Sequence, residues 1–249
     1  MTNTEAVLRE IRHTLEREPR IDFAHEIINI VFVNGELLLS GEVSDISVKR
    51  LAAKRASEVP DVVTVRDELR IRTDKILRDS EIHDLVHGSL AAEPALGGCT
   101  LRRRDGEGFR TTRIPEVAVG RIDVLIARGV VTLNGEVPSI AQKRLAGVLA
   151  WWAPGTVDVV NNLFVQPPEK DSDEALVELL QLVLEMDRQL NTANIRVGAR
   201  SGVVILEGAV RNQAERVAAA RDTWYVSGVE DVINRLVIDR GHGASAADG

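Results

Sequence analysis

Apolar and polar residues alternate in the same way along three stretches of the chain. Leu37, Leu39 and Val43 fall on one face of an extended segment, as do Val131, Leu133 and Val137, and then Val204, Leu206 and Val210. The stretches align without gaps: GELLLSGEVS from Gly35, GVVTLNGEVP from Gly129 and GVVILEGAVR from Gly202. In each, a second glycine (Gly41, Gly135 or Gly208) follows six residues after the first, and a leucine (Leu69, Leu163 or Leu236) lies 28 residues further on. The copies are spaced by 94 and then 73 residues, so the second carries an insertion. A register held through three copies is an internal repeat.

Each copy predicts the same order of elements. An amphipathic helix, near 4–18, 79–92 and 172–188, leads into a strand near 26–33, 117–126 and 194–199. Gly35, Gly129 and Gly202 make the turn into the alternating strand, because glycine accepts positive φ; Asn34-Gly35 is the clearest hairpin signal. Asn134-Gly135 is the same dipeptide, but the register places it inside a strand. A second helix begins near Ser44, Ser139 and Asn212, all good caps, and ends at Pro60, Pro154 and Gly228. The closing strand turns inward Val65, Leu69 and Ile71, then Val159, Leu163 and Val165, then Val232, Leu236 and Ile238.

Two inward features recur. Asp67, Asn161 or Asn234 occupies a polar position on the closing strand, and is read as a structural side chain bonding to backbone. Gly41, Gly135 and Gly208 sit inward on the middle strand, which implies close approach by another backbone. The second helix, with Ala52, Ala146 and Ala219 at matched positions, is the expected neighbour. The six glycines are thus assigned structural roles. The fold class is α+β: three tandem αββαβ two-layer sandwiches, each with two helices on a mixed three-stranded sheet. Module 1 is expected at 4–73, module 2 at 78–166 with its insertion at 97–116, and module 3 at 171–239. Residues 166–170 read as a stiff linker and 240–249 as a disordered tail.

The G-x5-G strand pair, the Ala-rich helix and the closing V-x-N-x-L-x-V strand together resemble the BON domain family, from about Glu5 to Asp239. The first copy departs from that pattern with Asp67 in the asparagine position, and the second departs with its insertion. The resemblance implies a non-enzymatic, stress-associated bacterial protein. Its members include periplasmic osmotic-stress proteins, outer-membrane lipoproteins, secretins and channels. Some bind phospholipid, and one cytoplasmic member binds potassium together with a LysM domain, of which this chain shows no sign.

Composition narrows the picture further. The net charge of −7 disfavours nonspecific binding to nucleic acid or anionic lipid through overall charge, and leaves local patches open. No apolar run is long enough to cross a bilayer. The first 18 residues lack the basic start, apolar core and cleavage site of a leader. They read as a capped helix with Thr2-Asn3-Thr4-Glu5 as a capping box. A cytoplasmic location is expected, or a periplasmic one if a leader has been removed. Cys99 is the sole cysteine, so no intramolecular disulfide forms.

Aromatics are only 3% of the chain, so their clustering carries information. Trp151-Trp152 and Trp224-Tyr225 occupy one repeated place at the end of the second helix, where module 1 has Ser57-Glu58. Such rings suit a lipid or protein docking surface, or plug a core edge or a seam between modules. Arg102, Arg103 and Arg104, with Arg110 and Arg113, lie in the glycine-bearing insertion. The glycines suggest a mobile loop, either touching anionic headgroups or simply solvated. Without interleaved aromatics, the arginine triplet is no nucleic-acid motif. His83 and His87 are four apart on one helix, with Cys99 the nearest conceivable third ligand; packed or surface histidines are the simpler reading, so no metal is assigned. Nucleotide-binding and nucleophile motifs are missing, so no cofactor and no catalytic residue is assigned. The expected function is a binding or scaffold protein that docks on phospholipid or on a partner protein during stress. The alternatives are a sensor of a monovalent cation such as potassium, or a self-assembling structural module; the oligomeric state is left open.

Overall fold

The computed structural model describes residues 3–239. Thr2 of the expected capping box and the tail 240–249 lie outside the described residues. Module 1 comprises α1 (Asn3–Glu16), β1 (Ile27–Val33), β2 (Glu36–Val43), α2 (Ile46–Ser57) and β3 (Thr64–Ile71). Module 2 comprises α3 (Asp79–Ala92), β4 (Cys99–Asp105), β5 (Gly108–Arg113), β6 (Gly120–Ala127), β7 (Val130–Val137), α4 (Ile140–Trp151) and β8 (Asp158–Val165). Module 3 comprises α5 (Asp173–Met186), β9 (Ile195–Arg200), β10 (Val203–Val210), α6 (Gln213–Tyr225) and β11 (Asp231–Ile238). The chain divides into two compact units between Pro167 and Pro168, so modules 1 and 2 form one unit and module 3 the other.

In every module the hairpin is antiparallel and the closing strand joins its second strand in parallel, as β1-β2-β3, β6-β7-β8 and β9-β10-β11. The turns are built by two residues with positive φ: Asn34-Gly35, Arg128-Gly129 and Ser201-Gly202. This is the type I′ geometry that matches the twist of a two-residue hairpin. In modules 2 and 3 the first helix fastens the turn. Asp79 accepts from the amides of Arg128 and Gly129, and Asp173 accepts from those of Ser201 and Gly202.

The inward strand glycines correct one expectation. A Cβ built on Gly41, Gly135 or Gly208 would lie 2.0, 2.1 or 1.8 Å from the carbonyl oxygen of Ile27, Arg121 or Asn194. The approaching backbone is therefore at the start of the module's first hairpin strand or just before it, and not in the second helix. All three glycines also hold φ near +120 to +130°, a region that side chains other than glycine rarely adopt. The second helix covers the core next to them, with Ala52, Ala146 and Ala219 fully buried. Leu69, Leu163 and Leu236 are buried to within 2%, each worth about 1.5–3 kcal/mol.

The caps follow the repeat, with one adjustment. Ser139 accepts from the Gln142 amide and Asn212 from the Glu215 amide. In module 1 the cap is Asp45, which accepts from Ser47 and Val48, while Ser44 donates its hydroxyl and amide to the buried Glu26. The recurrent polar position behaves as a backbone fastener. Asn161 donates to the Lys143 carbonyl and accepts from the Leu163 amide, and Asn234 does the same with Arg216 and Leu236. Asp67 has no amide to donate. It accepts from the Leu69 amide and pairs with Lys49, which stands where Lys143 and Arg216 stand.

The insertion is not a loop. Residues 99–113 form a β-hairpin whose first strand, β4, pairs in parallel with β6, giving module 2 a five-stranded sheet of order β5-β4-β6-β7-β8. The expected mobile loop fails because Gly106 (φ +60°) makes a tight two-residue turn and β4 supplies buried Cys99 and Leu101 to the core. The first two modules meet through the end of β3 and the start of β8. There the Ile71 amide donates to the Val157 carbonyl at 2.8 Å, and Lys49 reaches Asp158 at 3.3 Å.

Candidate functional site

Each sheet carries its two helices on one face, and the other face is open. Side chains on that face alternate with the core positions, so they are read directly from the register. On β8 they include Val160 and Phe164, and at the same repeat positions on β11 they are Ile233 and Val237. Phe164 is 74% exposed and Val237 62%. Module 1 has Arg66 and Arg70 at those positions, but its own apolar stripe lies on β1, with Ile27, Val31 and Val33 half or more exposed. Sequence reasoning missed these residues, although the signal was present: apolar residues at the solvent phase of an alternating strand.

The aromatic pairs divide. Trp151 and Trp224 are buried, at 8% and 4% exposure, so two of the four rings expected at a docking surface face inward. Trp152 and Tyr225, one residue further on, are half-buried. The recurrent place of these pairs is therefore explained first by packing.

The arginines are held by the hairpin. Arg102 makes a bidentate pair with Asp123, at 2.5 and 2.6 Å, on the open face of the sheet, and Arg121 adds a contact at 3.4 Å. The Arg102 and Arg104 guanidinium groups lie over the Phe109 ring, 4.9 and 5.9 Å from its centroid. Arg103 points to the helix side and reaches Asp84 at 3.4 Å. Arg113 folds back to donate to the carbonyls of Leu90, Ala91, Leu96 and Cys99, tying the C-terminal end of α3 to the base of β4. Arg110 is left on the exposed edge strand.

His83 and His87 stack under this hairpin, with ring centroids 6.1 Å apart. His87 meets the Thr112 hydroxyl. His83 is buried with neither ring nitrogen in hydrogen-bonding geometry, although it runs close to the Val124 backbone. Desolvation lowers the pKa of both, and the nearby Arg103 lowers it further. Cys99 is buried, and burial raises its thiol pKa. Among the described residues no cluster of three or more His, Cys, Asp or Glu could hold a metal. Among them, too, no helix is long and apolar enough to cross a membrane.

The fold and its surfaces define a tandem-repeat protein of small αββαβ modules that present open sheet faces and strand edges. The chain belongs to the BON domain family, whose pattern it matches over residues 3–73, 112–167 and 172–240. It is similar to the outer membrane lipoprotein DolP of Haemophilus influenzae, with 31% identity over 120 residues. The similarity covers 47% of this chain and 62% of that lipoprotein, so the chain spans less than two thirds of this relative. Among solved structures it is similar to the C-terminal domain of CdsD, a structural protein of the type III secretion system of Chlamydia trachomatis. That similarity has 16% identity and a TM-score of 0.24, over 95% of this chain and 99% of that one. A second CdsD structure gives the same identity and TM-score over 94% of each chain. A TM-score this low does not speak for a shared arrangement. The hairpin β4–β5 lies almost entirely outside the family pattern, which resumes at Thr112.

Proposed function

We propose that the protein is a non-catalytic, stress-associated binding protein that docks on a phospholipid surface through the open faces of its BON modules. One observation carries the reading: Val160 and Phe164 in module 2, and Ile233 and Val237 in module 3, repeat an exposed apolar pair on the closing strand. An apolar residue on a solvated strand face gives up favourable burial unless something covers it. A feature kept in register in two copies argues for a shared use. The similarity to an outer membrane lipoprotein supports a membrane as the covering surface.

The test is co-sedimentation of the full chain with vesicles of phosphatidylcholine alone and with added phosphatidylglycerol. A Phe164→Ser/Val237→Ser variant is expected to pellet several-fold less than the parent, while a Trp152→Ala/Tyr225→Ala variant separates the contribution of the aromatic ends. If neither lipid pellets the parent protein, the reading is wrong.

A further inference from the structure

We infer that β5 is a docking edge for an acidic, extended segment of another protein. The site is a strand edge, touching the open face of the module 2 sheet only through Phe109 and Thr111, and does not depend on the lipid reading. Strand β5 is the outermost strand of the module 2 sheet, and five of its six residues are exposed. An edge of this kind offers a row of main-chain donors and acceptors, and native proteins blunt it with charged side chains, proline, a bulge or a covering element. No proline lies in β5. The one bulge, at Thr112, lies in β5 itself at the base of the hairpin, and beyond it Phe109 to Thr111 run in regular register with Arg104 to Arg102.

The direction of the free groups follows from the turn. Asp105 and Gly108 close a two-residue hairpin, so they form a hydrogen-bonded pair and the pairs then alternate. Arg110 bonds inward to β4, and the amides and carbonyls of Phe109 and Thr111 point away from the sheet. An added strand would bond to those two residues.

Charge selects the occupant. Residues 99–113 contain five arginines against Asp105 and Glu107, in a chain of net charge −7. Arg102 and Arg103 are paired with Asp123 and Asp84, and Arg113 is spent on carbonyls. Arg110 has no carboxylate partner among the described residues, and it sits at the middle of the free edge. A second copy adding through its own β5 would bring Arg110 against Arg110, and like charges opposed across strands are destabilising. A strand carrying carboxylates on the Arg110 side, with apolar residues toward Phe109, matches both faces. Strand addition of this kind draws affinity from main-chain bonds and specificity from alternate side chains.

The experiment titrates the full chain with a labelled short peptide alternating glutamate and valine, read by fluorescence anisotropy, with a lysine-for-glutamate peptide as control. Binding of the acidic peptide alone, weakening as salt rises, is expected. Arg110→Glu should reduce affinity at least tenfold. Thr111→Pro, which removes an outward amide and no β4 bond, should do the same. In the complex, the Phe109 and Thr111 amides should gain protection from hydrogen exchange, a readout that also shows the hairpin is folded. Equal binding of both peptides, unchanged affinity in Arg110→Glu, or protection elsewhere than on β5 would each overturn the inference. So would capture of anionic vesicles through Arg110 without peptide binding, which would mark a headgroup site instead.

Discussion

Lys49 of α2 and Asp158 of β8 meet across the boundary between modules 1 and 2, Nζ to Oδ1 at 3.3 Å, while the same ammonium also holds Asp67 at 3.0 Å and the Leu69 carbonyl at 2.6 Å. Both ends of the intermodule pair are nearly out of solvent. Removing one partner of such a pair leaves an uncompensated charge. Lys49→Met is therefore expected to cost about 3–5 kcal/mol in urea unfolding. Adding Asp158→Asn to that variant should recover part of the loss, since one of the two stranded carboxylates is then gone and only Asp67 remains.

The same site sets a pH dependence. Burial, more than any other influence, raises the Asp158 pKa above its ordinary value of 3.8; Lys49 opposes the shift and Asp67 adds to it. The contribution is most favourable below the unfolded value and declines as pH rises through the higher folded value. Lowered carboxylates such as Glu18 and Glu81 push the opposite way, so the quantity to measure is the difference between parent and Asp158→Asn. That difference should fall as pH rises above 3.8, and a flat difference would contradict the assignment.

His83 gives the opposite slope at higher pH. Its pKa is lowered, first by burial, then by Arg103 and His87, with Asp84 and the Val124 backbone opposing. A buried neutral histidine must take up a proton on unfolding, so its stabilising contribution is whole above 6.5 and is lost as pH falls below that value toward the folded pKa. Thermal melts from neutral pH to about pH 5 should show the loss, and His83→Leu should reduce it while removing two unpaired polar atoms.

Two glycine substitutions should act in opposite directions. Gly135→Ala meets the Arg121 carbonyl at 2.1 Å with φ at +119°, and is expected to cost about 3 kcal/mol or more. Gly88→Ala, on the exposed side of α3 with nothing within 4 Å, should stabilise by about 0.5–1 kcal/mol. Denaturant midpoints for the two variants check both.

Arg113→Met tests the hairpin's attachment. The guanidinium serves four carbonyls at the end of α3 and the base of β4, and charged hydrogen bonds of this sort contribute about 1.5–3 kcal/mol. The expected result is faster limited proteolysis within 99–113 with modules 1 and 3 unaffected.

The repeat was legible because its strongest signals are local. Gly35 and its counterparts mark turns, and alternation marks strands. The polar Asn161 position could be read as a backbone fastener from its inward phase alone. What could not be read depends on pairing between distant segments. The hairpin 99–113 looks like loop material, with two glycines and a run of charges, until β4 finds β6 and buries Cys99 and Leu101. The inward phase of Gly41 predicts a close approach and points to α2 as its source, since no local rule says that the Ile27 carbonyl turns inward. The tryptophans illustrate the converse: a repeated aromatic place is visible in sequence, yet which ring of each pair faces the core depends on how the helix end rotates.

The exchange of asparagine for Asp67 in module 1 gives the array a grammar. Where modules 2 and 3 fasten their own closing strand to their own helix, module 1 hands that task to Lys49, which then reads the first residue of the next module's closing strand. That residue is Asp158 in module 2, and the same position is Asp231 in module 3 and Thr64 in module 1 itself. A shuffled chain with two first modules in succession would offer Lys49 a threonine, whereas module 1 followed by module 3 would still offer an aspartate. The copies are thus words of different parts of speech, and their order along the chain carries meaning.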